Sequence, residues 1–167
     1  MHQHSSESLP QKNKDDFTII IDTREQKPWD FKHHTVANKK LDTGDYSIEG
    51  CENLLCIERK NGVAELAGNI SEKRFKDVIN RMTNYQHSFI LVEGDYKQLM
   101  NYPIGSDVPR RLWKNIKIKP TYILKFISEL QIYYNIHVLF CGDADAAQKT
   151  ALSIMKRIYE KYGIQKR

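Results

Sequence analysis

Apolar residues fall along the chain in two kinds of pattern, short unbroken runs and longer stripes at helical spacing. FTIIID (17–22) is almost continuously β-branched and aromatic, the signature of a strand buried on both faces. KPWDFKHH follows as a loop. TGDYSI (43–48) and LLCIERK (54–60) are separated by the turn-rich GCEN, which predicts a hairpin. HSFILVE (87–93) and IHVLF (136–140) complete a set of five expected strands. Between them, Asn61 stands where it would cap a short helix ending near residue 69, and Ser71 where it would cap a longer one. Phe75, Val78, Ile79 and Met82 then repeat at i, i+3, i+4, i+7. The stretch 94–120 is irregular, with a short helix near 96–101. A helix over 121–134 presents Ile123, Ile127, Leu130 and Tyr134, and the last, over 143–162, presents Ala147, Ala151, Ile154, Met155, Ile158 and Tyr162. Strand, hairpin, helix, strand, helix, strand, helix is an α/β order, a mixed central sheet flanked by helices.

The first sixteen residues depart from this pattern. They are polar and mixed in charge, so they read as a disordered arm preceding a domain over 17–167. They also lack the apolar core of a signal peptide, and no apolar run elsewhere is long enough to span a bilayer, so a soluble intracellular protein is expected. A length of 167 residues holds a real core without disulfides or structural metal. The three cysteines and six histidines show no zinc-ligand spacing. The net charge of +5 rises to about +6 once the arm, with two lysines and three acids, is set aside. That balance favours a polyanionic partner without identifying one.

Candidate chemistry lies in the hairpin. Alternate residues of a strand face opposite sides, so Tyr46 and Ile48 share one face with Leu55 and Ile57, while Asp45 and Ser47 share the other with Cys56, Glu58 and Lys60. A hairpin symmetric about Cys51 and Glu52 sets Asp45 opposite Glu58. Opposed like charges destabilise a sheet, so compensation is expected. Lys60 supplies one positive charge, and a divalent cation shared by both carboxylates would supply more. Mg²⁺ suits one or two carboxylates completed by water and phosphate oxygens.

IDTRE (21–25), GD (44–45), ERK (58–60), KRF (73–75) and LVEG (91–94), in that order at strand ends, resemble the nuclease domain of the XPF/Hef family of structure-specific endonucleases. The resemblance extends from about residue 17 to 163. It implies a restriction-endonuclease-like (PD-(D/E)XK) core and Mg²⁺- or Mn²⁺-dependent cleavage of DNA phosphodiesters at branched, flap or fork structures, in DNA repair or recombination. It also implies that Asp45 and Glu58 hold the metal, assisted by the Arg59 carbonyl, that Asp22 is a further ligand, direct or through water, and that Lys60 orients or activates the attacking water. Arg24, Arg59, Arg74 and Arg81 are the candidates for DNA phosphate contact, and Glu25 is expected to pair with an arginine. In this family the last two helices form a dimer interface, which makes a homodimer an expectation and Tyr133, Tyr134, Tyr159 and Tyr162 its aromatic candidates.

Two departures stand out. In the family ERK is followed, after three residues, by Asp; here that position is Ala64, with Glu65 one step later. Either an extra residue in NGV lets Glu65 take that role, or the role is lost and Glu65 is a first-turn acid favoured by the helix dipole, the reading preferred over a direct metal role. Relatives also usually carry a tandem helix-hairpin-helix module after the nuclease domain, whereas this sequence ends at Arg167. Grip on DNA is then expected from this domain, a second copy or another protein. The alternative to an enzyme is a non-catalytic DNA-binding partner of an active subunit. RRLWKNIKIK, five cations around Trp113, fits a DNA-facing loop or a solvated connector equally well. Glu93 reads chiefly as a turn residue, and Asp143 as a helix cap.

Overall fold

In the computed structural model, which describes residues 17–163, the pattern of apolar runs becomes one six-stranded sheet. The arm expected over residues 1–16 lies outside the described residues, as do residues 164–167. The strands are β1 (Thr18–Asp22), β2 (Thr35–Lys39), β3 (Tyr46–Ile48), β4 (Leu55–Lys60), β5 (His87–Val92) and β6 (Ile136–Phe140). Their order is β2-β1-β3-β4-β5-β6. β3 runs antiparallel to both β1 and β4, and the remaining pairs are parallel.

β2 is a correction to the sequence reading, which left this stretch without a strand. TVANK has little apolar content because it is an edge strand, pairing with β1 on one side only, and none of its residues is buried. Hydrogen bonds to β1 hold it, and those leave no trace in side-chain patterning.

Five α-helices follow from the remaining stripes: α1 (Val63–Ile70), α2 (Lys73–Met82), α3 (Tyr96–Met100), α4 (Pro120–Tyr133) and α5 (Ala144–Tyr162), with a 3₁₀ helix over Arg110–Asn115. The apolar faces of α1, α2 and α4 supply Leu66, Ile79, Ile123 and Leu130 to one core layer, against Cys56, Ile90 and Val138 of the sheet. The α5 stripe of Ala147, Ala151, Met155 and Ile158 covers the other face, with Ile19, Tyr46, Ile57 and Leu91. Asp143 caps α5 as expected, its Oδ1 accepting from Ala146 N at 2.8 Å. The two other expected caps fail. Gly62 and Glu72 occupy the N-cap positions of α1 and α2, and neither helix has a side-chain cap. Tyr134, placed on the buried face of α4 by its spacing, lies just past the helix and is exposed. Among the described residues no helix is long and apolar enough to cross a membrane.

This topology decides where polar groups gather. Because β3 is antiparallel to both its neighbours, β1 and β4 end at the same edge of the sheet, beside the start of β3. β5, parallel to β4, ends there too. IDTRE, GD, ERK and LVEG, scattered along the sequence, therefore meet at one sheet edge.

Candidate active site

The hairpin register is Tyr46↔Ile57, and just beyond it Asp45 and Glu58 border the same cleft. Beyond the formal strand ends the ladder continues, with Asp22 N donating to Asp45 O and Asp45 N donating to Ile57 O, both at 2.8 Å. Asp45 is thus fixed at its backbone to both neighbouring strands. Gly44 makes the approach possible. Its φ is +84°, and a Cβ there would lie 2.6 Å from Cys56 Sγ and 3.1 Å from Ile57 O, so glycine is required by conformation and by space together.

The Asp45 carboxyl accepts from Arg59 N through Oδ2 at 2.8 Å. Burial and then the charge of Glu58 push its pKa up to about 8, against the opposing pull of that backbone donor. Such a displacement marks a carboxyl lacking sufficient positive charge nearby. Lys60 is committed to the other acid. Its Nζ donates to Glu58 Oε1 at 2.8 Å and sits 4.6 Å from the centre of the Phe75 ring, with the side chain almost wholly buried. Phe75 of KRF, read from the sequence only as core, is therefore the floor under the lysine.

Asp22 has a different setting. Its side chain is 2% exposed, and both oxygens are engaged. Oδ1 accepts from Arg24 N and Nε, at 2.9 and 2.7 Å, while Oδ2 accepts from Leu41 N at 2.7 Å and Arg24 Nη2 at 3.1 Å. Burial works against its ionisation, but the hydrogen bonds from Arg24 and Leu41 prevail and hold the carboxyl below the usual range. Arg24 in turn also donates to Leu41 O.

Arg59 is braced from the opposite face of β4. Its Nε donates to Glu93 Oε1 at 2.6 Å, its guanidinium lies 5.3 Å from the Trp29 ring centre, and Nη1 donates to Lys27 O. Trp29 Nε1 donates to the same Glu93 oxygen at 2.7 Å, and its ring stacks on Tyr46 at 4.6 Å. Glu93 is consequently no surface turn residue. Its carboxylate, 6% exposed, ties the KPWDF loop to the ERK strand. The available signal was its place after β5, beside the end of β4.

Two lobes of a cleft meet at Asp45 and Glu58. One, of about 260 Å³, is lined by Lys60, Glu65, Asn69, Glu72 and Phe75 among others; the second, of about 360 Å³, by Asp22, Arg24, Thr43, Gly44 and Arg81. Arg74 and Glu25 border both. Among the described residues Arg74 and Arg81 make no ion pair, so their guanidinium groups remain available to a ligand. Glu25 was expected beside an arginine but accepts instead from Lys27 N at 2.8 Å, closing its own turn. Glu65 borders the cleft while accepting from Asn61 N at 2.6 Å, whereas Ala64 borders a separate groove with Gly62 and Glu93. Thr43 Oγ1 is buried and has no hydrogen-bond partner among the described residues.

No group of three His, Cys, Asp or Glu side chains is gathered as a ready metal cage among the described residues. The donor set fits Mg²⁺ nonetheless, since that ion uses one or two carboxylates with water and phosphate for the rest. The raised pKa of Asp45 is the electrostatic complement a cation would meet.

A mixed sheet that brings two carboxylates and a lysine together at strand ends places the chain in the XPF-type nuclease fold. The family model for the ERCC4 domain matches residues 21–153, and the chain belongs to that family. Among solved structures, XPF from Aeropyrum pernix is similar at a TM-score of 0.61 with 21% identity, over 89% of this chain and 72% of that one. XPF from Aeropyrum pernix in complex with DNA gives the same TM-score and identity, over 89% and 68%. No curated protein sequence matches the chain.

Proposed function

We propose that the protein is a divalent-metal-dependent endodeoxyribonuclease that cuts branched, flap or fork DNA. The observation that carries this reading is the Asp45–Glu58 pair, two carboxylates brought together at a cleft, with Lys60 fixed beside them. An isolated pair of this kind is a cost to the fold, and a phosphodiester-cleaving site is a reason for its presence. Membership of the ERCC4 domain family and the fold shared with an XPF solved with DNA support the choice of substrate.

Asp45 and Glu58 would hold Mg²⁺ or Mn²⁺, with the Arg59 carbonyl as a further donor. When bound, the cation supplies Lewis-acid activation of water and neutralises charge at the phosphoryl oxygens. Lys60 spends one ammonium hydrogen on Glu58 and keeps others to orient the attacking water and meet charge on the phosphate. Asp22 would be a further ligand, direct or through water, and its hydrogen bonds from Arg24 fix that guanidinium at the rim. Arg74 and Arg81 line the cleft unpaired and would take phosphates, a task for which the planar guanidinium is suited. Arg59, tied to Glu93 and Trp29, instead sets the geometry of Asp45 through its N–H.

A homodimer completes the proposal. Ile132 and Tyr133 are 73% and 76% exposed, and Tyr134 and Leu139 extend the patch across the end of α4 and the edge strand β6. Tyr159 and Tyr162 are partly engaged elsewhere, against Phe17 and His87. The deciding experiment incubates the protein with labelled fork, flap and duplex DNA, with Mg²⁺ or Mn²⁺ and with chelator. Metal-dependent cutting that Glu58→Gln abolishes is expected. No cutting, or equal cutting by that variant, would sink the enzyme reading and leave a non-catalytic DNA-binding partner.

A further inference from the structure

The basic segment after α3 is not used by the site described above. It carries Arg110, Arg111, Lys114, Lys117 and Lys119 against a single acid, Asp107. All five cations are exposed, and none forms an ion pair among the described residues. The contrast with cations on the outer helices is plain. Lys125, Lys149 and Arg157 are each matched by an acid one turn away, Glu129, Asp145 and Glu160. Positive charge is thus neutralised locally at these three positions of α4 and α5, though not at Lys161, and left open at all five positions here.

Backbone geometry arranges these charges in a row. In a 3₁₀ helix residues three apart eclipse one another at about 6 Å. Arg110 and Trp113 form one such pair, with the guanidinium 5.4 Å from the ring centre, and Arg111 and Lys114 form the next. The helix ends at Ile116, whose ψ of 117° begins an extended run. There Ile116 and Ile118 are half-buried, Ile118 packing on the core, while Lys117 and Lys119 alternate outward, about 7 Å apart. The front of the same segment, Gly105 to Asp107, borders a groove with Asn61, Gly62 and Glu93. Those residues immediately follow β4 and β5, so the segment starts at the sheet edge that carries Glu58 and Lys60.

We infer that residues 110–119 form a phosphate-binding ridge that grips a duplex arm of DNA outside the cleft, through Arg111, Lys114, Lys117 and Lys119. The choice of duplex over single strand follows from Trp113. A single-strand platform needs an aromatic face free for bases, but this indole is covered by Arg110, and its Nε1 donates to Val108 O at 2.9 Å. The tryptophan braces the ridge, and what it presents is charge. Contacts of this kind are independent of sequence and sensitive to salt. The inference rests on the proposed DNA substrate while adding residues that the cleft does not contain.

The test compares the wild type with an Arg111→Glu, Lys114→Glu, Lys117→Glu triple variant. The control is Lys125→Glu, Lys149→Glu, Arg157→Glu, which changes charge equally on the outer helices. Affinity for a blunt duplex and for a single strand of equal length is read by fluorescence anisotropy in chelator, from about 50 to 200 mM salt. The ridge variant is expected to lose roughly tenfold or more in duplex affinity at low salt, and its log–log salt slope should fall by about two to three. Its circular dichroism melt should stay unchanged. Wild-type affinity and slope in the ridge variant would overturn the ridge. So would an equal loss in the control, or a larger loss on single strand than on duplex. Cleavage with Mg²⁺, scored on the same proteins, separates the two readings. A wild type that cuts DNA while the ridge variant binds normally defeats the ridge alone, and ridge-dependent binding without cleavage defeats the nuclease alone.

Discussion

Replacing Asp45 by Asn should make the metal-free protein more stable while removing its proposed activity. The Asp45 carboxyl, with an ordinary pKa of 3.8 in the unfolded chain, is pushed up to about 8 in the fold by burial and by Glu58. A folded value above the unfolded one means that ionisation opposes folding. The penalty is absent below about pH 4, grows as pH rises and levels off above about 8. At neutral pH most of the interval between 3.8 and about 8 has been crossed, an ionisation cost on the order of 4 kcal/mol. Water in the open cleft screens part of this, so ~2 kcal/mol is the working expectation. The asparagine Oδ1 can still accept from Arg59 N, so the existing hydrogen bond survives. For a domain of this size the gain corresponds to a Tm about 5 °C higher. Thermal unfolding in chelator at pH 8 and pH 5 would read it, with the gap shrinking at the lower pH. Added Mg²⁺ should raise the wild-type Tm and leave the variant unmoved. A variant less stable than wild type at pH 8, or a gap independent of pH, would refute the electrostatic reasoning.

Other outcomes follow from the same geometry. Gly44→Ala should cost about 2–4 kcal/mol in urea unfolding, because it combines a positive φ with a sulfur contact; Cys56→Ala should recover only the contact share. Glu93→Ala strands the Arg59 guanidinium and the Trp29 indole N–H, for a loss of roughly 3 kcal/mol, and quenched-fluorescence changes at Trp29 should accompany it. Tyr133→Lys, at the centre of the exposed patch, should leave the melt unchanged and convert any dimer to monomer in analytical ultracentrifugation.

The parts of this molecule that were legible in the sequence are those where side-chain pattern carries the structure. The hairpin register could be read because Tyr46, Ile48, Leu55 and Ile57 alternate with a polar face, and a slip of one residue would turn each of them outward. The α5 stripe and its Asp143 cap were legible for the same reason. β2 was not, since backbone hydrogen bonds to β1 make it and no periodicity announces it. Asn61 and Ser71 suggest caps by residue type alone, but each helix starts one residue later, with Gly62 and Glu72 at the N-cap positions. At the site, motif order pointed to Asp45, Glu58 and Lys60 as neighbours. It could not reveal that Arg24 engages both oxygens of Asp22, nor that Glu93 and Trp29 hold Arg59 from behind. Those depend on which face of β4 each residue takes and on how the KPWDF loop packs, both long-range facts.

The burial of Tyr46 and Ile57 beneath Ala147 and Met155 has a temporal meaning. The residues proposed for chemistry all lie in the first part of the chain, yet the sheet face behind them, partly covered by Trp29 and Phe31, is completed only when α5 docks. During synthesis the charged hairpin therefore emerges with Trp29 and Phe31 already available to cover Tyr46, but before the helix that completes the layer. A chain lacking α5 would display the right residues on a half-covered sheet, so the rigidity of the site depends on the last helix to be made.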